Sequence, residues 1–147
     1  MADVSDPKIA EAYDKVRSND GELTWLLLDY ESDKSNKLTL TATGSGNLAE
    51  MTAQLQPQRA SFAYAKIRYV NDEHSFREKF VLIFWIGEEV KVMRRAKVSV
   101  HAGDVKSVLR SYSIEVSAST PNDLKEDEII TRLRRAGGAN YDRSKFD

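Results

Sequence analysis

The sequence predicts an α+β fold, an α/β sandwich in which helices cover both faces of a mixed, mostly antiparallel sheet of about five strands. Residues 80–86 form an apolar run on both faces, as in an interior strand that is covered by helices on each side. Residues 37–43 instead alternate apolar with polar side chains, which is typical of a half-exposed antiparallel strand. No linker or internal repeat divides the 147 residues, so we expect one domain.

The elements are expected in the order helix, hairpin, helix, hairpin, helix, strand, helix. The first helix begins at Asp6 and Pro7, a capping residue followed by a proline at the first helical position. The second begins at Asn47 and ends before Pro57. The strands are expected at residues 23–30, 37–43, 59–70, 77–86 and 113–116.

The last third of the chain is expected to be mostly helical. A helix with basic outer positions begins near Val90, and residues 99–103, which contain serine and glycine, are expected to interrupt it. The final helix begins near Asp123, where Glu126 completes a capping box, or one turn earlier at residues 120–121. Gly137 is expected to cap its C-terminus.

Composition excludes several classes of protein. The chain has no cysteine, which excludes a disulfide scaffold, a thiolate metal cluster and a cysteine nucleophile. Its two histidines, His74 and His101, leave little for a multi-histidine metal site. The apolar run at 80–86 is too short to cross a bilayer, and the acidic first residues do not form a secretory signal. We therefore expect a cytoplasmic domain without a metal or cofactor.

The net charge of −1 hides an uneven distribution. Residues 1–90 carry ten basic and fifteen acidic side chains, whereas residues 91–147 carry twelve basic and eight acidic ones. A positive sector on a nearly neutral protein indicates an acidic partner that binds one face. The sequence pI near 6.2 argues against nucleic acid as that partner.

Two motifs could carry chemistry but have simpler explanations. The sequence GSGNLA at residues 44–49 matches a dinucleotide-binding fingerprint, but the preceding strand alternates like an antiparallel strand, so a tight turn accounts for it better. The acidic residues 126–128 fit the first turn of a helix, where they complement the helix dipole. No sequence pattern typical of an active site is present, and we expect no catalytic residues.

Four segments resemble the coactosins, which are members of the actin-depolymerising-factor homology family. They are residues 12–17 (AYDKVR), 77–90 (REKFVLIFWIGEEV), 95–97 (RAK) and 133–142 (LRRAGGANYD). The similarity runs from about residue 6 to residue 142. It implies a single actin-depolymerising-factor homology domain at residues 1–142, followed by a flexible tail at 143–147.

The resemblance implies a non-enzymatic protein that binds the sides of actin filaments, and we expect it to be a monomer. One surface would lie on the long helix after the interior strand, and a second would combine the start of that strand with the C-terminal helix. The actin-binding residues implied are Arg77, Lys79, Lys91, Met93, Arg94, Arg95, Lys97, Arg132, Arg134 and Arg135. Because the surface of actin is acidic, basic residues would speed encounter and fix the register of binding.

The sequence departs from the depolymerising relatives at the long helix. Those relatives carry a basic residue directly followed by methionine, whereas here Val92 precedes Met93 and Arg94 follows it. This order and the expected break at 99–103 argue against severing and monomer binding. The basic positions could also form ordinary solvated helix faces and helix ends. An adaptor of the same fold, which binds another protein or an acidic phospholipid, is the alternative function.

Overall fold

The computed structural model describes residues 1–18, 23–72 and 75–146, apart from the side chains at 71, 72 and 137–146. The helices are α1 (Pro7–Arg17), α2 (Leu48–Thr52), α3 (Val92–Val108) and α4 (Glu126–Phe146), with a 3₁₀ turn at Pro121–Leu124. The strands are β1 (Trp25–Tyr30), β2 (Leu38–Gly44), β3 (Ala60–Asp72), β4 (Ser75–Ile86) and β5 (Ile114–Ala118). The predicted turn around residues 73 and 74, which includes His74, lies outside the described residues, as does the segment 19–22.

The five strands form one mixed sheet in the order β2-β1-β3-β4-β5. All neighbours are antiparallel except β4 and β5, which are parallel because α3 carries the chain back between them. The predicted sheet is therefore confirmed in strand number and in its mostly antiparallel character.

Each face of the sheet has its own hydrophobic core. Helices α1 and α3 pack on one face, against β-strand side chains that include Leu82 and Phe84. Helices α2 and α4 pack on the other, against side chains that include Val81, Ile83 and Trp85. Residues 81–85 of strand β4 are thus buried on both faces, as the apolar run predicts.

The glycine-rich segment at 44–49 is explained by packing. Gly44 pairs with Trp25 across β1 and β2, and a Cβ atom on Gly44 would overlap the Trp25 indole ring. Asn47 then caps α2 by accepting a hydrogen bond from the Glu50 amide at 3.1 Å. These contacts account for the motif without a bound phosphate.

The predicted break in the long helix at 99–103 is wrong, because α3 is continuous from Val92 to Val108. Val98, His101 and Val105 are buried on one side of it. A glycine inside a helix costs only about 1 kcal/mol relative to alanine, and burial of two or three side chains outweighs that cost. Local propensity is overridden here by tertiary packing.

The beginning and end of the last helical region also differ from expectation. Thr120 and Asp123 form the capping box, so the helical region starts at the earlier of the two predicted positions. It starts as the 3₁₀ turn, and α4 itself begins at Glu126. The Ser119 and Thr120 amides donate to the Asp123 carboxylate and lower its pKa.

The C-terminal cap predicted at Gly137 is wrong, since α4 continues to Phe146. Glycine permits a left-handed cap but does not require one. The division into a domain at 1–142 and a tail at 143–147 stays a prediction.

Candidate partner-binding surfaces

Helix α3 has two apolar sides. One side faces the sheet and buries Val98, His101 and Val105. The opposite side exposes Val92, Met93 and Val100, with 80%, 75% and 70% of their surface accessible. We call this exposed side the α3 stripe and define it as Val92, Met93, Ala96, Val100 and Gly103. Three large apolar side chains exposed on one helix face are typical of a protein-binding surface.

Met93 is among the residues that the resemblance implies, whereas Val92 and Val100 were not predicted as candidate site residues. A signal for them is present in the sequence, since Val92, Ala96 and Val100 follow a four-residue spacing on a helix. These residues lie on the helix face opposite the buried residues Val98, His101 and Val105. A helix with two apolar stripes can bury only one against its own core.

Cations flank the α3 stripe. Arg95 bonds to the turn that joins β4 to α3, through Nε to the Val90 carbonyl and Nη2 to the Glu88 carbonyl, both at 3.0 Å. Within the described part of the chain, Lys91 and Lys97 form no side-chain hydrogen bond or ion pair. Both lysines are therefore available to an acidic partner.

Arg94 differs from the other predicted binding residues because its guanidinium points into the protein. Its Nη2 donates to the carbonyls of Ser32, Asp33 and Ser35 at 3.3, 2.6 and 3.1 Å. Its Cζ lies 3.8 Å from the centre of the Tyr30 ring, and its Nη1 is buried. These contacts bind the β1–β2 loop to the first turns of α3.

His101 extends this network towards the core. It is 2% exposed, and its Nδ1 lies 2.7 Å from the Tyr30 hydroxyl. Burial lowers the pKa of His101, and the positive N-terminus, Arg94 and Lys97 lower it further, whereas Asp104 opposes them. The folded protein thus favours the neutral imidazole.

The stability of the protein is expected to fall as the pH is lowered through 6.5 because of His101. A histidine whose folded pKa is depressed stabilises the fold above its unfolded pKa, which is about 6.5, and loses that contribution as the pH falls towards the folded value. Chemical denaturation at pH 7.5 and 5.5 measures the effect. His101→Gln, which cannot titrate, should show a smaller loss between the two pH values. An equal loss in both proteins would contradict the assignment to His101.

A second surface begins where β3 and β4 extend beyond their neighbours. The pairing of β1 with β3 ends at Ala65, and that of β4 with β5 begins at Val81, so the outer parts of β3 and β4 form a two-stranded ribbon. Arg77 and Lys79 alternate in register with Val81 and therefore lie on the α4 face. Among the described residues neither cation has a side-chain hydrogen bond or ion pair.

Helix α4 brings its arginines to the same face. Arg134 lies over the Tyr69 ring at 5.6 Å and donates to the Val70 carbonyl at 2.8 Å. Tyr69 is the cross-strand partner of Arg77, so Arg134 and Arg77 lie side by side. Arg132 donates to the Glu115 carbonyl at 2.9 Å, on the β5 side. We call Arg77, Lys79, Arg132, Arg134 and Arg135 the ribbon patch; its arginines on α4 are all exposed.

The functional interpretation of the basic residues requires the cations of the long helix and of the C-terminal helix to converge with Arg77 and Lys79, and the structure agrees with only part of this. Arg134 of α4 lies beside Arg77, but the cations of α3 do not, because α3 covers the opposite face of the sheet. The α3 helix also begins after Ile86, at the end of β4, whereas Lys79 lies near its start. Lys79 and Ile86 are seven residue steps apart along the strand, which is about 23 Å. The molecule thus carries two separate basic surfaces.

Two further observations concern other kinds of site. In the part of the chain that the structure describes, no cluster of three or more histidine, aspartate or glutamate side chains is placed to hold a metal ion. None of the described helices combines the length and the apolar character that crossing a membrane requires.

The architecture and the sequence place the chain in one family. Residues 1–134 match the family of cofilin/tropomyosin-type actin-binding proteins. Because the match covers most of the chain, the protein belongs to this family, and the resemblance to it seen in the sequence is confirmed. None of the comparisons points to catalysis.

Coactosins are among its relatives. Coactosin of Dictyostelium discoideum is 39% identical over 146 residues, which cover 99% of this chain and 98% of the relative. The crystal structure of coactosin from Entamoeba histolytica superposes with a TM-score of 0.83 at 32% identity, over 93% of this chain and 97% of the other. The solution structure of mouse coactosin, described as an actin filament binding protein, has a TM-score of 0.75 at 29% identity, over 97% of each chain.

Proposed function

We propose that the protein is a non-enzymatic actin-binding protein of the coactosin type, which binds the sides of actin filaments in the cytoplasm. The observation that carries the proposal is the α3 stripe, an exposed apolar helix face flanked by Lys91 and Lys97, whose ammonium groups have no partner among the described residues. Apolar side chains at the centre of an interface supply affinity, while surrounding cations speed encounter with an acidic surface. The family membership and the description of mouse coactosin support actin as the partner.

The two separated surfaces support filaments rather than monomers as the main partner. The α3 stripe and the ribbon patch lie on opposite faces of the sheet and towards opposite ends of β4. A polymer offers two neighbouring subunits, so that binding of one surface raises the effective concentration of the second site. A monomer that reaches only one surface would bind more weakly.

The proposal includes little severing or depolymerisation. The predicted break at 99–103, one of the two sequence features that indicated little severing, is absent because α3 is continuous there. The remaining argument is the order of residues, in which Met93 precedes Arg94 instead of following a basic residue. Filament length after incubation with the protein, measured by microscopy, tests this part; shortened filaments would contradict it.

Lys79→Ala is expected to weaken cosedimentation with filaments about fivefold at physiological salt and to leave the fold intact. Lys79 is part of the ribbon patch and has no partner among the described residues, so its removal costs the fold nothing but takes one cation from the interface. The salt dependence of binding should also become less steep.

Lys8→Ala provides the matched control, because Lys8 is an exposed lysine on α1, away from both proposed surfaces. It should pellet like the wild type. Equal pelleting of Lys79→Ala and wild type would overturn the assignment of the ribbon patch. Binding of wild type to anionic vesicles but not to filaments would instead favour the phospholipid alternative.

A further inference from the structure

The β1–β2 loop is held against α3 by a single side chain. Arg94 Nη2 donates hydrogen bonds to the carbonyls of Asp33 at 2.6 Å and Ser35 at 3.1 Å, so Lys34 lies between two residues that are bonded to the helix. The amide of Ser35 also donates to the Ser32 carbonyl at 3.1 Å, which closes the turn around the guanidinium. The backbone of Lys34 is therefore fixed beside the start of α3.

The opposite side of the loop is held by the N-terminal segment. The Asp3 amide donates to the Asn36 carbonyl, and the Leu38 amide donates to the Asp3 carbonyl, both at 2.9 Å. Neither contact reaches Lys34, which lies between the two residues whose carbonyls accept hydrogen bonds from Arg94. Lys34 itself is exposed.

The loop meets α3 on the flank that borders the α3 stripe. Arg94, Lys97, His101 and Asp104 follow a spacing of three and four residues, so they lie on one side of the helix. Lys97 on this flank is one of the free cations beside the stripe. Arg94, which binds the loop, lies one helical turn from Lys97, so the backbone of Lys34 is held beside this side of α3.

We propose that Arg94 is a positioning residue for actin binding, which acts by holding Lys34 at the edge of the α3 stripe and does not itself contact actin. This rests on the proposed function. The guanidinium is occupied by three carbonyls and by the Tyr30 ring, and its second terminal nitrogen is buried, so it has little left to offer a partner. Lysine cannot replace it, because an ammonium lacks the flat surface that stacks on Tyr30.

Arg94→Lys separates positioning from contact because it keeps the charge. Hydrogen exchange of the amides at 32–37 in the free protein should become faster, while Arg95→Lys, on the neighbouring residue, should leave these amides unchanged. Cosedimentation should show filament binding weakened about threefold in Lys34→Ala and by no more than that in Arg94→Lys. The double variant should bind no more weakly than Lys34→Ala, because Arg94 contributes to binding only by positioning Lys34.

Three results would overturn the proposal. One is unchanged exchange at 32–37 in Arg94→Lys, the second is wild-type binding by that variant despite a loosened loop, and the third is additive losses in the double variant. Failure of the proposed function is recognised separately, since the wild type would then not pellet with filaments while the exchange measurement would still report the role of Arg94 in the free protein.

Discussion

Replacing Val100 by aspartate is expected to weaken filament binding about thirtyfold, or about 2 kcal/mol, without unfolding the protein. Val100 is 70% exposed in the free protein and lies at the middle of the α3 stripe, so its replacement leaves the core intact. In the complex, however, the new carboxylate would be buried against an acidic partner without a cation to pair with it. Cosedimentation at several protein concentrations measures the affinity.

The matched control places the same charge on another exposed helix position. Ala10→Asp on α1 adds a carboxylate outside both proposed surfaces and should bind filaments like the wild type. Circular dichroism and thermal unfolding verify that both variants are folded. If Val100→Asp binds as tightly as Ala10→Asp, the α3 stripe is not the docking surface.

Gly87→Ala is expected to produce the largest loss of stability, about 3 kcal/mol, or roughly 10 °C in the unfolding temperature. A Cβ atom on Gly87 would lie 2.6 Å from the Cα of Pro57 and would overlap its carbonyl group. Backbone cannot rotate away as a side chain can. The substitution must therefore push apart two segments that are joined by hydrogen bonds from Gly87 to Arg59 and from Glu89 to Pro57.

Gly103→Ala is the control for this prediction and should have the opposite sign. An added Cβ at Gly103 meets nothing within 4 Å, and alanine favours a helix over glycine by about 0.5 to 1 kcal/mol. Denaturant unfolding of both variants gives the two free energies. A Gly87→Ala protein as stable as wild type would show that the contact between residues 57 and 87 is looser than described.

The architecture could be predicted from the sequence wherever one physical signal dominates. The apolar run at 80–86 predicts an interior strand because only burial on both faces tolerates it, and the alternation at 37–43 predicts an antiparallel strand. The helix around residues 99–103 could not be predicted in the same way. Its glycine and serine signals are weak, and the burial of Val98 and Val105, which outweighs them, depends on a sheet formed by distant residues.

The candidate site was predictable to a similar degree. Alternation along β4 places Arg77 and Lys79 on one face, and the helical period of α4 brings Arg134 to that face. The inward direction of Arg94 was not predictable, because its partners are carbonyls about 60 residues away in the chain. Every residue has a backbone carbonyl group, whatever its side chain, so no sequence pattern marks such a contact.

A cryo-electron microscopy map of filaments decorated with the protein tests the central claim most directly. We predict that the side of α3 with Val92 and Val100 lies against one actin subunit, while Lys79 and Arg134 lie against a neighbouring subunit. A map in which either the α3 stripe or the ribbon patch faces solvent would contradict the two-surface mode of binding.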